Sequence, residues 1–467
     1  FRKSLELAKG QGHFTGQRKL KAALDTTHIL GRGAVKDTSN LLADGIVLVL
    51  RVLAKQAGEQ LAVGAEREGW GRDVTAGSVK GQAAIDWSDA GARERLLQAI
   101  VADADRLLER VRTARGLLEA GNPDDGALAE AAGLLARVLA QDIERTEAGP
   151  TLHQGVAEDR MPAVHDPEVR HGCKSSAKTF NGHKSQLAVD TDSQLITAVA
   201  VIPGNAPDSA QALEVVEATE ANTGCPVEET IGDCAYGDGD TRQEFHEAQR
   251  TLVAKVPTQT NQGCFQKTDF TLDLDTLTCT CPAGHTTETF RPAKDGGGVF
   301  RFADAVCGPC PLRDKCARGK AGRSVSVHPQ ERLLQAARAF QANPAFREYR
   351  TRRQAVEHRI ARLIQLGLRP ARSVGRAKTL FQVAMAAAVA NLTLLMHRAD
   401  ADPSSGLLTP VPLSIVGLLI ALQSRRDGFR RLSPVFASMR RPGGAPRLPL
   451  PLRLLGPSPT WPSRPHF

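Results

Sequence analysis

Two aspartates lie where a carboxylate suits chemistry better than packing. Asp233 follows residues 230–231, which favour a strand, and Gly232 ends that apolar run. Asp25 lies inside a strand predicted for residues 24–30, although aspartate is depleted in strands. A lone buried carboxylate is costly unless a cation or another partner compensates its charge. The two positions therefore predict a carboxylate site, and the alternative for Asp233 is a residue that only caps a turn.

A third carboxylate, Glu357, lies in an arginine-rich stretch with helical periodicity. Tyr349, Arg353 and Glu357 are spaced at i, i+4 and i+8, so they share one face of a helix. Taken alone, Arg353 and Glu357 would be an ordinary exposed pair that contributes only a few tenths of a kcal/mol. Together with Asp25 and Asp233, however, Glu357 makes a set of three acids, which favours a catalytic role for it.

Cysteine and histidine residues cluster between residues 257 and 330. The two groups are Cys279-x-Cys281-x3-His285 and Cys307-x2-Cys310-x5-Cys316. Cys307-x2-Cys310 has the spacing of a zinc knuckle, and tetrahedral zinc needs four ligands. The favoured structural zinc ligands are Cys281, Cys307, Cys310 and Cys316, with Cys279 or His285 as substitutes. The alternative is a set of reduced, partly buried thiols.

The composition favours a polyanionic partner and a reducing compartment. The 467 residues include 60 Lys and Arg against 51 Asp and Glu, a formal charge of +9. Aromatic residues are only 4% of the chain, which argues against base stacking as the main binding mode. The nine cysteines are an odd number and no secretory signal opens the chain, so we expect a cytoplasmic protein rather than a disulfide framework. The first residue, Phe1, favours a copy truncated at its N-terminus.

Changes in composition divide the chain into six parts. The predicted parts are 1–40 as the first catalytic strand with a basic lead-in, 41–150 as a helical insertion, 151–256 as the catalytic core, 257–330 as a Cys-rich insertion, 331–397 as the C-terminal helices of the core, and 398–467 as a poorly ordered Pro- and Arg-rich tail. Within the core we predict a hairpin over 185–202, a helix over 209–222 capped by Asp208 or Ser209, and a strand over 251–256. Prolines interrupt the apolar stretch 407–423, so we predict no membrane anchor there.

Three sets of motifs carry a resemblance to a known family. They are Leu24-Asp-Thr-Thr-His-Ile-Leu-Gly-Arg-Gly-Ala-Val-Lys-Asp-Thr38; Phe180-Asn-Gly-His-Lys184 with Ile202-Pro-Gly-Asn-Ala-Pro-Asp208 and Ile231-Gly-Asp-Cys-Ala-Tyr-Gly237; and Tyr349-Arg-Thr-Arg-Arg-Gln-Ala-Val-Glu357 with Gln382 and Asn391-Leu392. Over about residues 20–397 the chain resembles bacterial DDE-type insertion-sequence transposases, which share the RNase-H-like fold of retroviral integrases. The Cys-rich segment looks like an insert found in one branch of that family.

The resemblance implies an α/β fold, with an RNase-H-like mixed sheet flanked by helices and interrupted by the helical block and the Cys-rich segment. It places the three acids of the family on Asp25, Asp233 and Glu357, which would bind Mg²⁺ or Mn²⁺. Two such ions, roughly 3.5–4 Å apart, can activate the attacking 3′-hydroxyl and stabilise the leaving oxygen during DNA cleavage and strand transfer.

The resemblance also implies DNA as the partner, a homo-oligomer assembled on DNA, no membrane, and a nucleoid-associated location in the bacterial cytoplasm. The candidate DNA contacts are Lys184, Arg350, Arg352 and Arg353, with a solvated helix face as the alternative for the arginines. Two other functions stay open: a catalytically inactive DNA-binding remnant, and a metal-dependent nuclease that does not join strands. Convergence of the three acids would favour an enzyme, and divergence would favour the DNA-binding remnant.

Overall fold

The computed structural model describes residues 1–401, except for 68, 72–77, 118–122, 176, 259–260 and 320. The tail expected at 398–467, including the apolar stretch 407–423, lies outside the described residues from position 402 onward.

The strands alternate with helices in the first part of the chain and follow one another closely in the Cys-rich segment. The strands are β1 Leu20–Leu30, β2 Ile143–Thr146, β3 Gly149–Leu152, β4 Arg170–Ser175, β5 Lys178–Asp190, β6 Ile196–Pro203, β7 Val227–Ile231, β8 Leu252–Val253, β9 Thr271–Asp273, β10 Thr278–Thr280, β11 Thr286–Thr287, β12 Phe290–Pro292, β13 Gly298–Arg301 and β14 Ser324–Val327. The helices are α1 Arg2–Gly10, α2 Thr38–Ala57, α3 Leu61–Arg67, α4 Val79–Gln82, α5 Ala90–Leu117, α6 Pro123–Asp142, α7 Ala212–Thr223, α8 Gly239–Glu247, α9 Asp304–Cys307, α10 Arg313–Cys316, α11 Glu331–Ala342, α12 Phe346–Gln365 and α13 Arg376–Ala401.

A mixed six-stranded sheet is the centre of the fold. Strand β5 pairs antiparallel with β1 on one side and with β4 and β6 on the other. Strand β1 pairs parallel with β7, and β7 pairs parallel with β8. The order β6–β5–β1–β7–β8, antiparallel and then parallel, is that of an RNase-H-like sheet. The predicted α/β fold class is therefore confirmed.

The two faces of this sheet pack against different helices because side chains alternate between the faces along a strand. On one face, Ala23 and Leu187 belong to a core that includes residues of α12 and α13. On the other face, Leu24 and Ala188 belong to a core that includes residues of α1 and α7. Burial of each such leucine stabilises the fold by about 1.5–3 kcal/mol, so both helical layers hold the sheet in place.

A helical block with its own core is inserted between β1 and β4. It contains α2 to α6 and the hairpin of β2 with β3, where the sequence predicted helices over 41–150. Its core includes Leu42, Ile100 and Leu135, which are fully buried. Helix α6 ends at Asp142, whose carboxylate accepts hydrogen bonds from Arg160 at 2.8 Å and from Thr38 at 2.8 Å. The block therefore has a core of its own. The segments that enter and leave it connect to strands β1 and β4 of the sheet.

Two local predictions differ from the structure. Helix α7 begins after Gln211, whose side chain makes no capping bond, instead of after Asp208 or Ser209. The carboxylate of Asp208 instead accepts a hydrogen bond from Lys184, so it is unavailable as a cap. The strand predicted over 251–256 is shortened to the two residues of β8, because only these two residues pair with β7.

Helix α13 is the one helix among the described residues that is long and apolar enough to cross a membrane by length and composition. Core helices of globular proteins share these properties. Val383, Ala387 and Ala390 on α13 are buried in the core beneath the sheet. The side chain of Asn391 joins the helix to strand β6, since it accepts a hydrogen bond from the Ile196 N–H at 2.9 Å and donates one to the Ile196 carbonyl at 2.8 Å.

We predict that Asn391→Ala lowers the free energy of unfolding by about 2–4 kcal/mol, because it leaves two buried backbone groups without partners. Urea denaturation of the full chain measures the change. Thr393→Ala on the same helix is the control, since Thr393 bonds only the Val389 carbonyl of its own helix, and we expect a loss below about 1 kcal/mol. Equal losses in the two variants would contradict the role assigned to Asn391.

Candidate active site

Asp25 and Asp233 are brought together by the parallel pairing of β1 with β7. Ala23 pairs with Ile231, so the two chains run in parallel towards Asp25 and Asp233, and Asp233 lies close enough for its charge to act on Asp25. Asp233 lies just beyond the end of β7 and accepts a hydrogen bond from the Ala235 N–H at 2.8 Å. It therefore caps a turn, as the alternative proposed, and also lies near Asp25.

Asp25 is enclosed by protein, and its side chain is only 19% exposed. One carboxylate oxygen accepts a hydrogen bond from the Thr26 N–H at 2.7 Å, and the other accepts one from Arg353 at 3.1 Å. Burial raises the pKa of Asp25 to about 6, and the nearby charges of Asp233 and Asp208 add to the rise, while the bonds from Thr26 and Arg353 oppose it. This carboxylate is in an environment that favours an added proton or a cation.

Glu357 reaches this pair of acids through Arg353. The Arg353 guanidinium donates to Asp25 with one terminal nitrogen and to Glu357 with the other. The Glu357 side chain is 48% exposed. Asp25 therefore has the charge of Asp233 nearby and is joined to Glu357 only through an arginine that stands between them. In the described part of the chain, no three His, Cys, Asp or Glu side chains are already arranged to hold a metal ion.

Helix α12 is fixed above the sheet along the face that the spacing predicted. The Tyr349 hydroxyl donates a hydrogen bond to Glu229 of β7 at 2.8 Å, and Glu229 also pairs with Lys21 of β1 at 2.8 Å. Val356 and Leu363 of the helix are fully buried against the sheet. These contacts place the next turns of α12 over Asp25, which explains why the arginine and glutamate of the same helix face the site.

The four predicted DNA contacts differ in whether their positive charge is already paired with a carboxylate. The Lys184 ammonium donates to Asp208 at 2.7 Å and to the Ala206 carbonyl at 2.7 Å, and its side chain is only 13% exposed. Arg352 pairs with Glu348 at 2.6 Å. Arg353 is shared between two acids, as described above. Arg350 is exposed, with no carboxylate bound to it among the described residues, and is the best placed of the four to contact phosphate.

Two residues near the acids, Tyr236 and Gln186, were not identified from the sequence as part of the site. Tyr236 is fully buried, and Gln186 donates hydrogen bonds to its hydroxyl at 3.3 Å and to the Asp208 carbonyl at 3.0 Å. Burial raises the pKa of Tyr236, so it stays a neutral phenol. Tyr236 and Asp208 both lie within the motifs that carried the resemblance, and this position was the signal from which Tyr236 could have been identified. Gln186 thus joins Tyr236 to Asp208, and the charges of Asp25 and Asp233 also act on Tyr236.

The Cys-rich segment forms a separate lobe. Strands β9 to β11 make one three-stranded sheet and β12 to β14 another. A cavity of about 20 Å³ lies between the β10–β11 turn and the short helices α9 and α10. The cysteine and histidine residues that line it are Cys281, His285, Cys307, Cys310 and Cys316. Cys279 does not line it, because this residue is fully buried in the core of the lobe, where burial raises the pKa of its thiol to about 11.

The raised pKa of Asp25 predicts a pH-dependent stability in metal-free buffer. The native state binds this proton more tightly than the unfolded state, so stability falls as pH rises from about 4 to about 6. We expect Asp25→Asn to become more stable relative to the wild type by about 2 kcal/mol between pH 4 and pH 7.

Urea denaturation at both pH values, with EDTA present, measures this difference. Asp159→Asn provides a comparison of opposite sign, since Arg170 lowers the pKa of Asp159 to about 2 and its ionised form stabilises the fold. That variant should be less stable than the wild type by nearly the same amount at pH 4 and pH 7, because the stability linked to Asp159 is gained between about pH 2 and pH 4. A difference between Asp25→Asn and the wild type that is the same at pH 4 and pH 7 would show that Asp25 is not destabilised by ionisation.

The comparisons with known proteins bear on the C-terminal part of this site. Residues 280–396 match the family model described as the transposase DDE domain, which is 117 of the chain's 467 residues. The match includes Arg353 and Glu357 but neither Asp25 nor Asp233. No curated protein and no solved structure matches the chain. Proteins of this family act on DNA, generally in the cytoplasm and with a divalent metal such as Mg²⁺. Over these residues the chain is similar to transposase DDE domains.

Proposed function

We propose that this protein is a DNA transposase that cleaves phosphodiester bonds at the ends of an insertion sequence and transfers the strands with a divalent cation. The observation that carries the proposal is Asp25 on β1 within electrostatic range of Asp233, just past the end of the parallel strand β7, beneath a helix whose Arg353 bonds to both Asp25 and Glu357. These contacts support a site that includes all three acids.

The donor set of Asp25 and Asp233 fits Mg²⁺ or Mn²⁺. Both groups are hard oxygen ligands, and one oxygen of each is already oriented by a backbone N–H, from Thr26 and from Ala235. A divalent cation bound there would supply Lewis-acid activation of the phosphodiester and of the attacking hydroxyl. Asp25 and Asp233 would hold the cation, and Glu357 would complete its ligands once Arg353 moves aside.

Arg353 supplies positive charge to the site before a cation is bound. Two carboxylates near each other repel, and the guanidinium offsets this repulsion by bonding to Asp25. A cation at the acids would repel the arginine. The guanidinium, whose side chain is 26% exposed, could then take a phosphate of DNA as its partner in place of Glu357.

The inactive-remnant alternative has one observation in its favour. Arg353 occupies the space between Asp25 and Glu357, and a protein that no longer binds metal could keep this ion-pair arrangement for stability alone. A nuclease that does not join strands would need the same acids, so only the products of the reaction separate it from a transposase.

We predict that Asp25→Asn, Asp233→Asn and Glu357→Gln each lower DNA cleavage and strand transfer by at least about 10³-fold, as expected for groups that hold the catalytic cation. DNA binding should stay unchanged or tighten, because each substitution removes a negative charge near phosphate. Gel assays with Mg²⁺ and a labelled element end measure cleaved and joined products, and filter binding measures affinity.

Glu348→Gln is the matched control, since Glu348 is an exposed acid of the same helix whose partner is Arg352. We expect full activity from this variant. Cleavage at the wild-type rate by folded Glu357→Gln would remove Glu357 from the site. A wild-type protein that binds DNA but forms no product with Mg²⁺ or Mn²⁺ would favour the remnant, and cleaved but unjoined product would favour the nuclease.

We predict that Arg350→Ala weakens binding to all DNA sequences alike and flattens the slope of log affinity against log salt by about one unit, because one phosphate contact is lost. Lys184→Ala is the matched control, since its ammonium is already neutralised by Asp208, and it should leave the slope unchanged. Titrations at several salt concentrations measure both slopes. A larger effect from Lys184 than from Arg350 would reverse this assignment of the DNA surface.

A further inference from the structure

We propose that the Cys-rich lobe binds one structural zinc ion in the cavity between the β10–β11 turn and helices α9 and α10. The ligands assigned to it are Cys281, Cys307, Cys310 and Cys316. This site is separate from the proposed catalytic acids and would have no part in the chemistry on DNA.

The lobe brings Cys281 to the thiols of Cys307, Cys310 and Cys316, which lie close to one another further along the chain. Cys281 begins a tight turn in which the Gly284 N–H donates to the Cys281 carbonyl at 2.9 Å and the Cys281 N–H donates to the His285 carbonyl at 2.9 Å. Cys307 and Cys316 are the last residues of α9 and α10, and Cys310 lies between these helices. All four side chains line a single cavity of about 20 Å³, which has room for about one water-sized body.

The surroundings of the cavity suit a zinc–thiolate group. The remaining lining is mostly apolar, with Phe265 and Phe302 among its residues, and the four cysteines are half-buried. Four thiolates around Zn²⁺ carry a net negative charge, and the Arg323 guanidinium, which also lines the cavity, would offset it. The backbone N–H of Arg323 donates to the Cys307 sulfur at 3.5 Å, a contact that orients and stabilises a thiolate.

The lobe has little else to stabilise it. Its core contains five fully or nearly fully buried apolar side chains, and its two helices have only four residues each. Folded units with so small a core usually need a metal or disulfides, and all nine cysteines of the chain are free thiols. A zinc ion would tie the β10–β11 turn to both helices and so supply the missing constraint.

The tertiary structure also selects among the candidate ligands. Cys279 is excluded because its side chain lies in the core of the lobe, away from the cavity. His285 lines the cavity and is the competing fourth ligand. The thiols line the cavity, but no three such groups in the described residues are already arranged to hold a metal ion. Zinc binding would therefore turn the thiols inward, and each would release its proton to solvent as its Zn–S bond forms.

The test uses the untagged full chain, purified under reducing, chelator-free conditions. Elemental analysis should give about one zinc per chain, and exchange with Co²⁺ should give the visible spectrum of tetrahedral thiolate coordination. Serine substitutions of Cys281, Cys307, Cys310 or Cys316 should each lower the bound zinc at least about fivefold. Cys264→Ser and Cys279→Ala, in the same lobe but outside the cavity, should retain it. His285→Ala should also retain zinc and the cobalt spectrum.

Absence of zinc from the wild-type chain, even after incubation with Zn²⁺, would overturn the proposal. Retention of zinc by the four cysteine variants, or its loss from His285→Ala, would overturn the ligand assignment. Because a substitution could unfold the lobe, a second measurement uses the wild type alone: EDTA should make residues 261–330 sensitive to protease, and added Zn²⁺ should restore protection. These readouts do not involve DNA, so failure of the zinc site and failure of the proposed transposase function are distinguishable.

Discussion

The parallel pairing of β1 with β7 is the constraint on which the candidate active site depends. It brings Asp25 near Asp233, and a slip of one residue in the pairing of β1 would turn Asp25 to the opposite face of the sheet. The pairing also has an electrostatic cost. Burial and, to a smaller extent, the nearby charge of Asp233 disfavour ionisation of Asp25 and raise its pKa. The site therefore calls for positive charge, and the surrounding elements supply it.

Helix α12 meets this requirement because two different kinds of contact hold it. Its buried side chains, such as Val356, pack on the sheet, and the Tyr349 hydroxyl ties its first turns to Glu229 on β7. With the helix fixed in this way, Arg353 is directed to Asp25 and Glu357 follows one turn later. The i, i+4 spacing of Arg353 and Glu357, which on other helices makes an ordinary surface ion pair, thus places a guanidinium and a third acid at the site. The tertiary contacts of the helix decide between the two outcomes.

The long intervals between the three acids are occupied by modules with cores of their own. The helical block between β1 and β4 buries residues such as Ile46 and Leu107 among its own helices. The Cys-rich lobe between β8 and α11 buries Phe300 and Phe302 in a smaller core. Because each module satisfies its own apolar surface, it adds length to the chain without disturbing the pairing of the central strands. Acids more than a hundred residues apart can therefore share one face of the sheet.

The sequence by itself determined the types of the elements and the identity of the candidate acids. Alternating and helical periodicities indicated β1, the β5–β6 hairpin and α12 because these patterns reflect local burial, and the match of residues 280–396 to a transposase DDE domain is likewise encoded in the sequence. Charge pairing was decided only in the tertiary structure. Lys184 binds Asp208, which consequently does not cap α7, and Arg353 stands between Asp25 and Glu357. The spacing of the cysteines alone also could not show on which side of a strand each of them lies. Cys279 is buried in the core of the lobe, whereas Cys281, past the end of β10, lines the cavity. Ion pairs and cavities join residues far apart in the chain, so their partners follow from strand register and helix packing rather than from local pattern.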